Sequence, residues 1–585
     1  AITHAVQVLL NGGLLAVKST GGIQLCALAL SELEPREFKL KRNPVDKLRK
    51  LKARGDKPFA VMMRDVAAIS RICEVNVTEQ ATLESLAAPI VLLEKKNPKD
   101  FIRISDNHLL GVMLPSQPIY HILMQELALH GIDMCIVTSA NPPGRPILSD
   151  SEQFILDMSG YFDAYLDHNR EIIHPIEDSV VSVFQDQQVV LRFGRGYAPS
   201  FILDEDPTQT SGIAFGADLK ANFALRLTKG FVLGPFISDL HTREHELAFE
   251  KSLDHFLGIY KLDPSNIYCD LHPQYVSRYL AQDYIKKNSS RLKKLQPVQH
   301  HYAHAASQFV TCPNEASLAL VCDGLGFGYG NEIWGCELFS ISKEKQLLRI
   351  ASLSPYNLLG GDRASRDPGL CLLSLVRSID LDEKIKKDLF NEFFDHNKIS
   401  LINQYSKVDF ASPLAAISIK CRSLGRLFDA LAFLLANFKQ LQSYEGQAAL
   451  KLEHLAANAI EYEEFQVGKW SFSEGLWELQ WQTFLIDLML RHRQKHAEKD
   501  LAAIAAGFHH FLVDSFLSFA KQQGFKNIVL SGGVWQNRLL LRIICEKAGK
   551  VGIKVHLTPI MQVNDGAISL GQLFYKKIET RDSEK

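Results

Sequence analysis

Three times beyond residue 211 of this 585-residue chain, an apolar stretch of strand character runs straight into glycine and a polar residue. The instances are Gly212-Ile213-Ala214-Phe215-Gly216-Ala217-Asp218-Leu219-Lys220, Leu318-Ala319-Leu320-Val321-Cys322-Asp323-Gly324 and Asn527-Ile528-Val529-Leu530-Ser531-Gly532-Gly533-Val534. Glycine at the end of a buried strand lets backbone N–H groups approach phosphate oxygens with no Cβ in the way. One such turn is an ordinary strand-to-helix connection. Three in one region, with long helical stretches between them, predict two lobes that close on a nucleotide.

The segment Val298-Gln299-His300-His301-Tyr302-Ala303-His304 sets His300 and His304 four residues apart. On a helix that spacing puts both imidazoles on one face, within reach of one metal ion. By itself H-x-x-x-H is a weak signal, as readily a packed or solvated pair. Two carboxylates strengthen it. Asp323 ends the apolar run at 316–322 and opens a glycine-rich turn, and Asp565 sits in Asn564-Asp565-Gly566 just before another apolar stretch. Two histidines with one or two carboxylates suit Zn(II) or Fe(II), with open positions for nucleotide phosphate.

A single core seldom grows past ~250–300 residues, so a chain of this length predicts several domains. The 65 Lys and Arg against 66 Asp and Glu leave a net charge of -1, and neither nucleic acid nor a membrane is an expected partner. Ten cysteines include no C-x-x-C pair, so no zinc ribbon or redox dithiol is read. Cys26, Cys135, Cys322 and Cys371 lie in apolar runs, as buried reduced thiols do. No charged-then-apolar leader opens the chain and no apolar run approaches ~18 residues, so a cytoplasmic location is expected.

Residues 204–211, acidic and polar with turn formers, read as a linker between a unit at 1–203 and a unit at 212–578, with a tail at 579–585. Upstream, the apolar runs at 13–17, 59–63, 89–93 and 134–137 alternate with helical segments, which predicts an α/β unit around a largely buried sheet.

On these motifs the downstream unit resembles the ATPase-like domain of the hydrogenase-maturation carbamoyltransferases (HypF), within the actin/Hsp70/sugar-kinase (ASKHA) superfamily. The strings that carry the resemblance are VQHHYAHAAS at 298–307, DGLGFGYGNEIWGCE at 323–337, LLGGDRASRDP at 358–368, GRLFDALA at 425–432, SYEGQAALKLE at 443–453, LSGGVWQNRLL at 530–540 and NDGAISLGQ at 564–572. The resemblance implies a two-lobed ATPase fold with metal ligands at His300, His304, Asp323 and Asp565. It also implies phosphate or nucleotide contacts at Gly216, Lys220, Asn222, Gly324, Gly361, Asp362, Gly532, Gly533 and Asn537. Asp429 and Glu445 have two readings: solvated or capping helix carboxylates, or partners of a ribose or a neighbouring arginine. Trp334 and Trp535 read as core.

The upstream unit resembles the YrdC/Sua-type domain that makes carbamoyl adenylates, a double-stranded RNA binding-like fold. Its strings are AVKSTGG at 16–22, LRKLKARGDKPFAVM at 48–62, PIVLL at 89–93, TSAN at 138–141, HNR at 168–170, EDSVV at 177–181 and RFGRGYAP at 192–199. The resemblance implies Lys52, Arg54, Ser139 and Asn141 as the reacting group, and ATP contacts at Lys18, Thr20, Lys57, Arg192 and Arg195. A lysine and arginine cluster can spread triphosphate charge, although a solvated helix face is its commoner fate. The chain departs from the pattern at Gln24, Leu28 and Ala88, where a histidine, an aspartate and an arginine are usual. The acylphosphatase domain and cysteine-rich zinc domain of full-length members have no counterpart in these residues.

Together these features imply an ATP-dependent carbamoyltransferase with Mg in company with ATP and Fe or Zn at the histidines. Carbamoyl phosphate or carbamate would be the donor, and the C-terminal cysteine of a HypE-like protein the acceptor. Two alternatives compete. One is a carbamoyltransferase acting on a small-molecule hydroxyl, whose relatives place the adenylate-forming domain last. The other is a nucleotide-binding, non-catalytic paralogue with a degraded first site.

Overall fold

In the computed structural model of the chain, the residues described are 1–29, 43–204, 210–288, 294–310, 315–343, 346–380, 418–495, 497–557 and 562–575. Most of the linker expected at 204–211, and all of the tail at 579–585, lie outside them. The chain divides into two compact units: Ala1–Val298 with Thr558–Leu573, and Gln299–Leu557 with Phe574–Lys585.

The first unit holds two sheets. The first has nine strands: β1 (Leu15–Lys18), β2 (Ile23–Leu28), β3 (Ala60–Met63), β4 (Ile90–Glu94), β5 (Leu109–Met113), β6 (Met134–Ser139), β7 (Ala164–Leu166), β8 (Val180–Phe184) and β9 (Gln187–Arg192). Their order is β7-β1-β2-β6-β3-β5-β4-β8-β9, with parallel and antiparallel neighbours mixed. The four upstream apolar runs supply β1, β3, β4 and β6. Alternate residues feed two cores: Ala16, Leu25 and Ala27 pack with Phe59 and Ile136, while Leu15, Val17 and Leu28 pack with Leu123 and Leu127. Burial on both faces is why these runs lack a polar alternation.

The second sheet of this unit has six strands: β10 (Ser200–Leu203), β11 (Gly212–Ala214), β12 (Ala224–Leu227), β13 (Gly230–Leu233), β14 (Asn266–Asp270) and β15 (Lys294–Val298), in the order β10-β13-β12-β11-β14-β15. Thus β10, which precedes the expected linker, is hydrogen-bonded into the sheet that follows it. The first strand-to-glycine stretch leaves β11, and its Asp218 carboxylate caps the helix Val276–Lys287 by accepting from Val276 N and Ser277 N, both at 2.8 Å.

The second unit is built on a nine-stranded sheet: β16 (Ser317–Phe327), β17 (Ile333–Ile341), β18 (Leu347–Leu353), β19 (Tyr356–Leu359), β20 (Ser418–Cys421), β21 (Lys469–Ser473), β22 (Leu476–Gln480), β23 (Asn527–Ser531) and β24 (Lys554–His556). The remaining two strand-to-glycine stretches are β16 and β23, parallel neighbours with Val321 opposite Ser531. β23 ends at Ser531, just before Gly532, whereas β16 runs on through Asp323 and Gly324 to Phe327 with its register broken between Cys322 and Gly326, so the glycine-rich turn expected at Asp323 is instead an irregularity within a strand. The 25-residue helix Glu498–Gln522 is long and apolar enough to cross a membrane, but 72% of its most apolar stretch is buried in the protein, as in a core helix. Trp334 and Trp535 are buried, as the sequence suggests.

Candidate active site

The histidine pair lies on the helix His300–Ser307, whose eight residues are all buried. Gln299 caps it, its side-chain oxygen accepting from Tyr302 N at 2.9 Å. One turn of helix then aligns His300 and His304 as the spacing predicts. His300 Nε2 stands 3.5 Å and His304 Nε2 3.8 Å from Asp323 Oδ2. Four donors ~2.1 Å from a tetrahedral centre stand roughly 3.4 Å apart, so these three atoms are spaced as ligands of one ion.

Two of the three groups are held from behind. His304 Nδ1 faces Ser531 Oγ at 3.2 Å, at the end of β23. Asp323 Oδ1 accepts the Gly533 N–H at 3.0 Å, leaving Oδ2 toward the imidazoles. Burial would raise the Asp323 pKa, but the hydrogen bond from His300 and the charges of His304, His300 and His301 hold it well below the usual carboxylate range. Gly326 admits the helix: a Cβ there would lie 2.3 Å from His301 Cε1 and 2.8 Å from His300 Cδ2. Gly532 takes φ +95°, and a Cβ there would lie 2.1 Å from the Cys322 carbonyl oxygen. Two imidazole nitrogens, an ionised carboxylate oxygen and supporting hydrogen bonds fit a divalent ion.

The other downstream residues divide by what they touch. Gly324 accepts from the Ser423 hydroxyl. Gly361 and exposed Asp362 lie on the turn Gly361–Ser365, and among the described residues no hydrogen bond or ion pair joins them to the Asp323 group. Asn537 caps the helix Arg538–Lys550 through Leu540 N at 2.8 Å, while its amide nitrogen faces His509 Nε2 at 3.0 Å. Glu453 Oε1 accepts the next two N–H groups, from Arg538 at 2.8 Å and Leu539 at 3.3 Å. Asp429 is buried and paired with Arg426 at 2.8 Å, which overturns the solvated reading for that residue.

In the first unit, Gly216 N donates to Gln572 Oε1 at 3.0 Å and Lys220 N to Asp239 Oδ1 at 2.7 Å. Asn222 is buried, donating to Gly566 O at 2.7 Å and accepting from Ser569 Oγ at 2.6 Å. This places the GADLKAN and NDGAISLGQ stretches against each other. Asp565 opens the short turn Asp565–Ala567, capped by Asn564.

The upstream basic residues form a connected group. Lys52 Nζ donates to Ser139 O at 2.9 Å, Asn141 O at 2.6 Å and Asn141 Oδ1 at 2.8 Å. Ser139 Oγ donates to the same Oδ1 at 2.6 Å. Burial pushes the Lys52 pKa down to about 8; Glu177 opposes this, while Arg54 and Lys57 add to it. Arg54 lies over the Phe59 ring, and its buried Nε has no hydrogen-bond partner. An orphaned guanidinium donor among cations fits an oxyanion. Lys18 pairs with Asp167 at 3.4 Å, and Thr20 N donates to Gln117 Oε1 at 3.0 Å. Arg192 bonds Asp178 O at 2.9 Å and Glu177 at 3.4 Å. Arg195 is committed to the Ala87 and Ala88 carbonyls, each at 3.0 Å, and to Asp178.

Sequence reasoning missed the partners of the departures. Gln24 donates to Asp178 Oδ2 at 2.8 Å and accepts from the Tyr120 hydroxyl at 2.5 Å, so an amide fills that position with both its atoms bonded. Leu28 is core, and the Ala88 carbonyl is held by Arg195.

Three family models match the chain: Sua5/YciO/YrdC, described as telomere recombination, over 7–194; the HypF Kae1-like domain over 207–310; and the second subdomain of the carbamoyltransferase Kae1-like domain over 319–572. The carbamoyltransferase HypF of Synechocystis sp. is 31% identical over 98% of this chain and 73% of its own length. The chain belongs to the HypF carbamoyltransferases. The HypF of Rhizobium leguminosarum is 29% identical over 97% of this chain and 70% of its own. A full-length HypF crystal structure in the phosphate- and nucleotide-bound form superposes with a TM-score of 0.85 at 30% identity, covering 98% of this chain and 86% of that one. The T. kodakarensis HypF structure gives the same TM-score at 26% identity. As a HypF, the chain is a carbamoyltransferase with a YrdC-like domain followed by an actin/Hsp70-like ATPase fold.

Proposed function

We propose that the chain makes carbamoyl adenylate at the Lys52 group and transfers its carbamoyl to the C-terminal cysteine of a HypE-like acceptor, toward the cyanide ligands of [NiFe]-hydrogenase. One observation carries the reading most. His300 Nε2, His304 Nε2 and Asp323 Oδ2 converge on a chain that also holds a buried cation group. The phosphate- and nucleotide-bound state of the related HypF supports ATP as the shared ligand.

In the first step a carbamate oxygen attacks the α-phosphorus of ATP. The bond to the β-phosphate oxygen breaks, and pyrophosphate leaves with its electrons. Carbamate would come from carbamoyl phosphate by a prior hydrolysis, in which water supplies the oxygen and phosphate leaves. Lys52, Arg54 and Lys57 offset the triphosphate charge, with Arg192, Lys18 and Thr20 completing the nucleotide contacts. Lys52 also fixes Ser139 and Asn141 through their carbonyls, so the hydroxyl and amide that face the carbamate are held in place.

In the second step the acceptor thiolate attacks the carbamoyl carbon, the bond to the AMP phosphate oxygen breaks, and AMP departs. The thiol proton goes to solvent. A thiolate is the strongest common nucleophile at neutral pH, so the chain itself needs to supply none. His300, His304 and Asp323, with Asp565 as the fourth ligand that the resemblance implies, would hold a divalent ion, Fe or Zn, which would supply charge stabilisation at a phosphate. By the resemblance, Gly216, Lys220, Asn222, Gly324, Gly361, Asp362, Gly532, Gly533 and Asn537 would meet the nucleotide or its phosphates.

The test is ATP–pyrophosphate exchange dependent on added carbamate or carbamoyl phosphate, followed by label transfer from carbamoyl donor to a HypE-like thiol. Exchange and transfer by the same chain support the proposal. ATP binding with neither reaction would make this a binding-only paralogue, and transfer to a small-molecule hydroxyl but not to the thiol would replace the acceptor.

A further inference from the structure

Asn564 and Gln562 flank the turn that carries Asp565, and neither has a role in the chemistry above. Both are buried. The Asn564 side-chain oxygen accepts from Gly566 N at 3.1 Å, which closes the turn, while its amide nitrogen donates to Leu191 O at 2.9 Å. Gln562, with its amide oxygen toward the donor, accepts from Phe193 N at 2.7 Å and donates to Gly566 O at 3.2 Å. Gly566 permits this closure, since a Cβ there would overlap the Gln562 amide.

Leu191 and Phe193 are the two neighbours of Arg192. The same three-residue stretch is gripped from the other side, where Phe236 N donates to Phe193 O at 2.7 Å and the Phe236 ring underlies the Arg192 guanidinium at 5.7 Å. Arg192 in turn bonds Glu177, whose charge acts on Lys52. A continuous hydrogen-bonded path therefore joins the backbone around Arg192 to the backbone around Asp565, although the two are more than 350 residues apart, as the Asn564–Leu191 separation of 373 shows.

We propose that Asn564 and Gln562 are positioning residues that couple the two half-reactions: anion binding at Arg192 and ion binding at Asp565 are set by one clasp. The inference rests on the functional reading above, in which Arg192 meets the nucleotide and Asp565 is the fourth ligand. Hydrogen-bond networks can carry coupling between two sites, and where one ligand biases the binding of another the bias is reciprocal. Residues that hold a metal ligand from behind commonly change ion affinity by about 10–100-fold when altered.

The experiment compares wild type, Asn564→Ser and Gln562→Leu, each stripped of its tightly held ion or reloaded with Zn2+, all assayed with Mg2+. Serine keeps an oxygen for Gly566 N but removes the donor to Leu191 O. Two quantities are read: Zn2+ affinity, and the KM for ATP in pyrophosphate exchange. In wild type, reloading should lower that KM about five-fold, the lower end of ordinary coupling. In Asn564→Ser the ratio should fall to about one, and Zn2+ affinity should drop about ten-fold. Gln562→Leu, which leaves the Asn564 cap in place, should shrink the same ratio, and it decides the matter if the serine variant fails to fold. A wild-type ratio of one, or a full wild-type ratio in a folded variant, overturns the coupling. Absence of any exchange by wild type would instead sink the functional reading; the coupling is then read from pyrophosphate affinity with and without Zn2+, under the same criteria.

Discussion

Asp323 accepts the Gly533 N–H at 3.0 Å, a bond that spans 210 residues of sequence and joins the irregular middle of β16 to the turn at the end of β23. It fixes one carboxylate oxygen so that the other faces His300 and His304. The placing of the Asp323 carboxylate beside the two histidines therefore depends on the glycine turn that follows β23.

Gly532→Ala tests that dependence. A Cβ at φ +95° would strain the backbone and strike the Cys322 carbonyl oxygen 2.1 Å away. The cost should be about 3 kcal/mol, with lower thermal stability and weaker retention of a divalent ion. Unchanged melting and unchanged ion binding would show that the turn does not set Asp323.

Lys52 gives a pH signature. Its pKa, pushed down to about 8 mainly by burial, leaves it partly neutral at pH 8. A bound triphosphate favours the ammonium and raises that value. Binding of ATP to the upstream site should therefore take up protons near pH 8, and affinity should fall as pH rises through that value. Calorimetry in buffers of different ionisation heat measures the uptake, and Lys52→Arg should abolish it. Proton release, or none, would remove Lys52 from the anion contacts.

Much of this arrangement is legible in the sequence because it is local. The four-residue spacing of His300 and His304 becomes one helix face, and the apolar runs become buried strands, since periodicity and turn chemistry act over a few residues. What escapes is the hydrogen-bond partner across the fold. Gly216, Asn222, Asn537 and Arg195 read as ligand contacts, yet each gives polar groups to the protein: Gln572, Gly566 with Ser569, His509, and the Ala87 and Ala88 carbonyls. Ser531 behind His304, and Tyr120 beside Gln24, leave no local pattern either. Only tertiary contact brings them there.

Glu453 and His509 predict opposing pH trends in stability. Burial raises the Glu453 pKa to about 7, so the folded state keeps a proton that the unfolded chain loses, and stability falls as pH rises from about 4.5 to about 7. Burial lowers the His509 pKa to about 4, so the unfolded chain takes up a proton first, and stability falls as pH drops from about 6.5 to about 4. The stability of wild type relative to Glu453→Gln should thus decline by ~3 kcal/mol between pH 4.5 and 7. Relative to His509→Asn it should rise with pH over 4 to 6.5. Denaturant titrations across pH measure both, and a flat difference in either pair would contradict the burial argument.

The central claim is that two distinct groups of residues on one chain perform two consecutive half-reactions. His300→Ala and His304→Ala separate them most directly. Each should lose its tightly held ion and reduce carbamoyl transfer to the acceptor thiol by at least about 100-fold. Pyrophosphate exchange at saturating ATP should stay within about two-fold of wild type. Full ion occupancy with normal transfer in both variants, or loss of exchange along with transfer in a folded protein, would contradict the account.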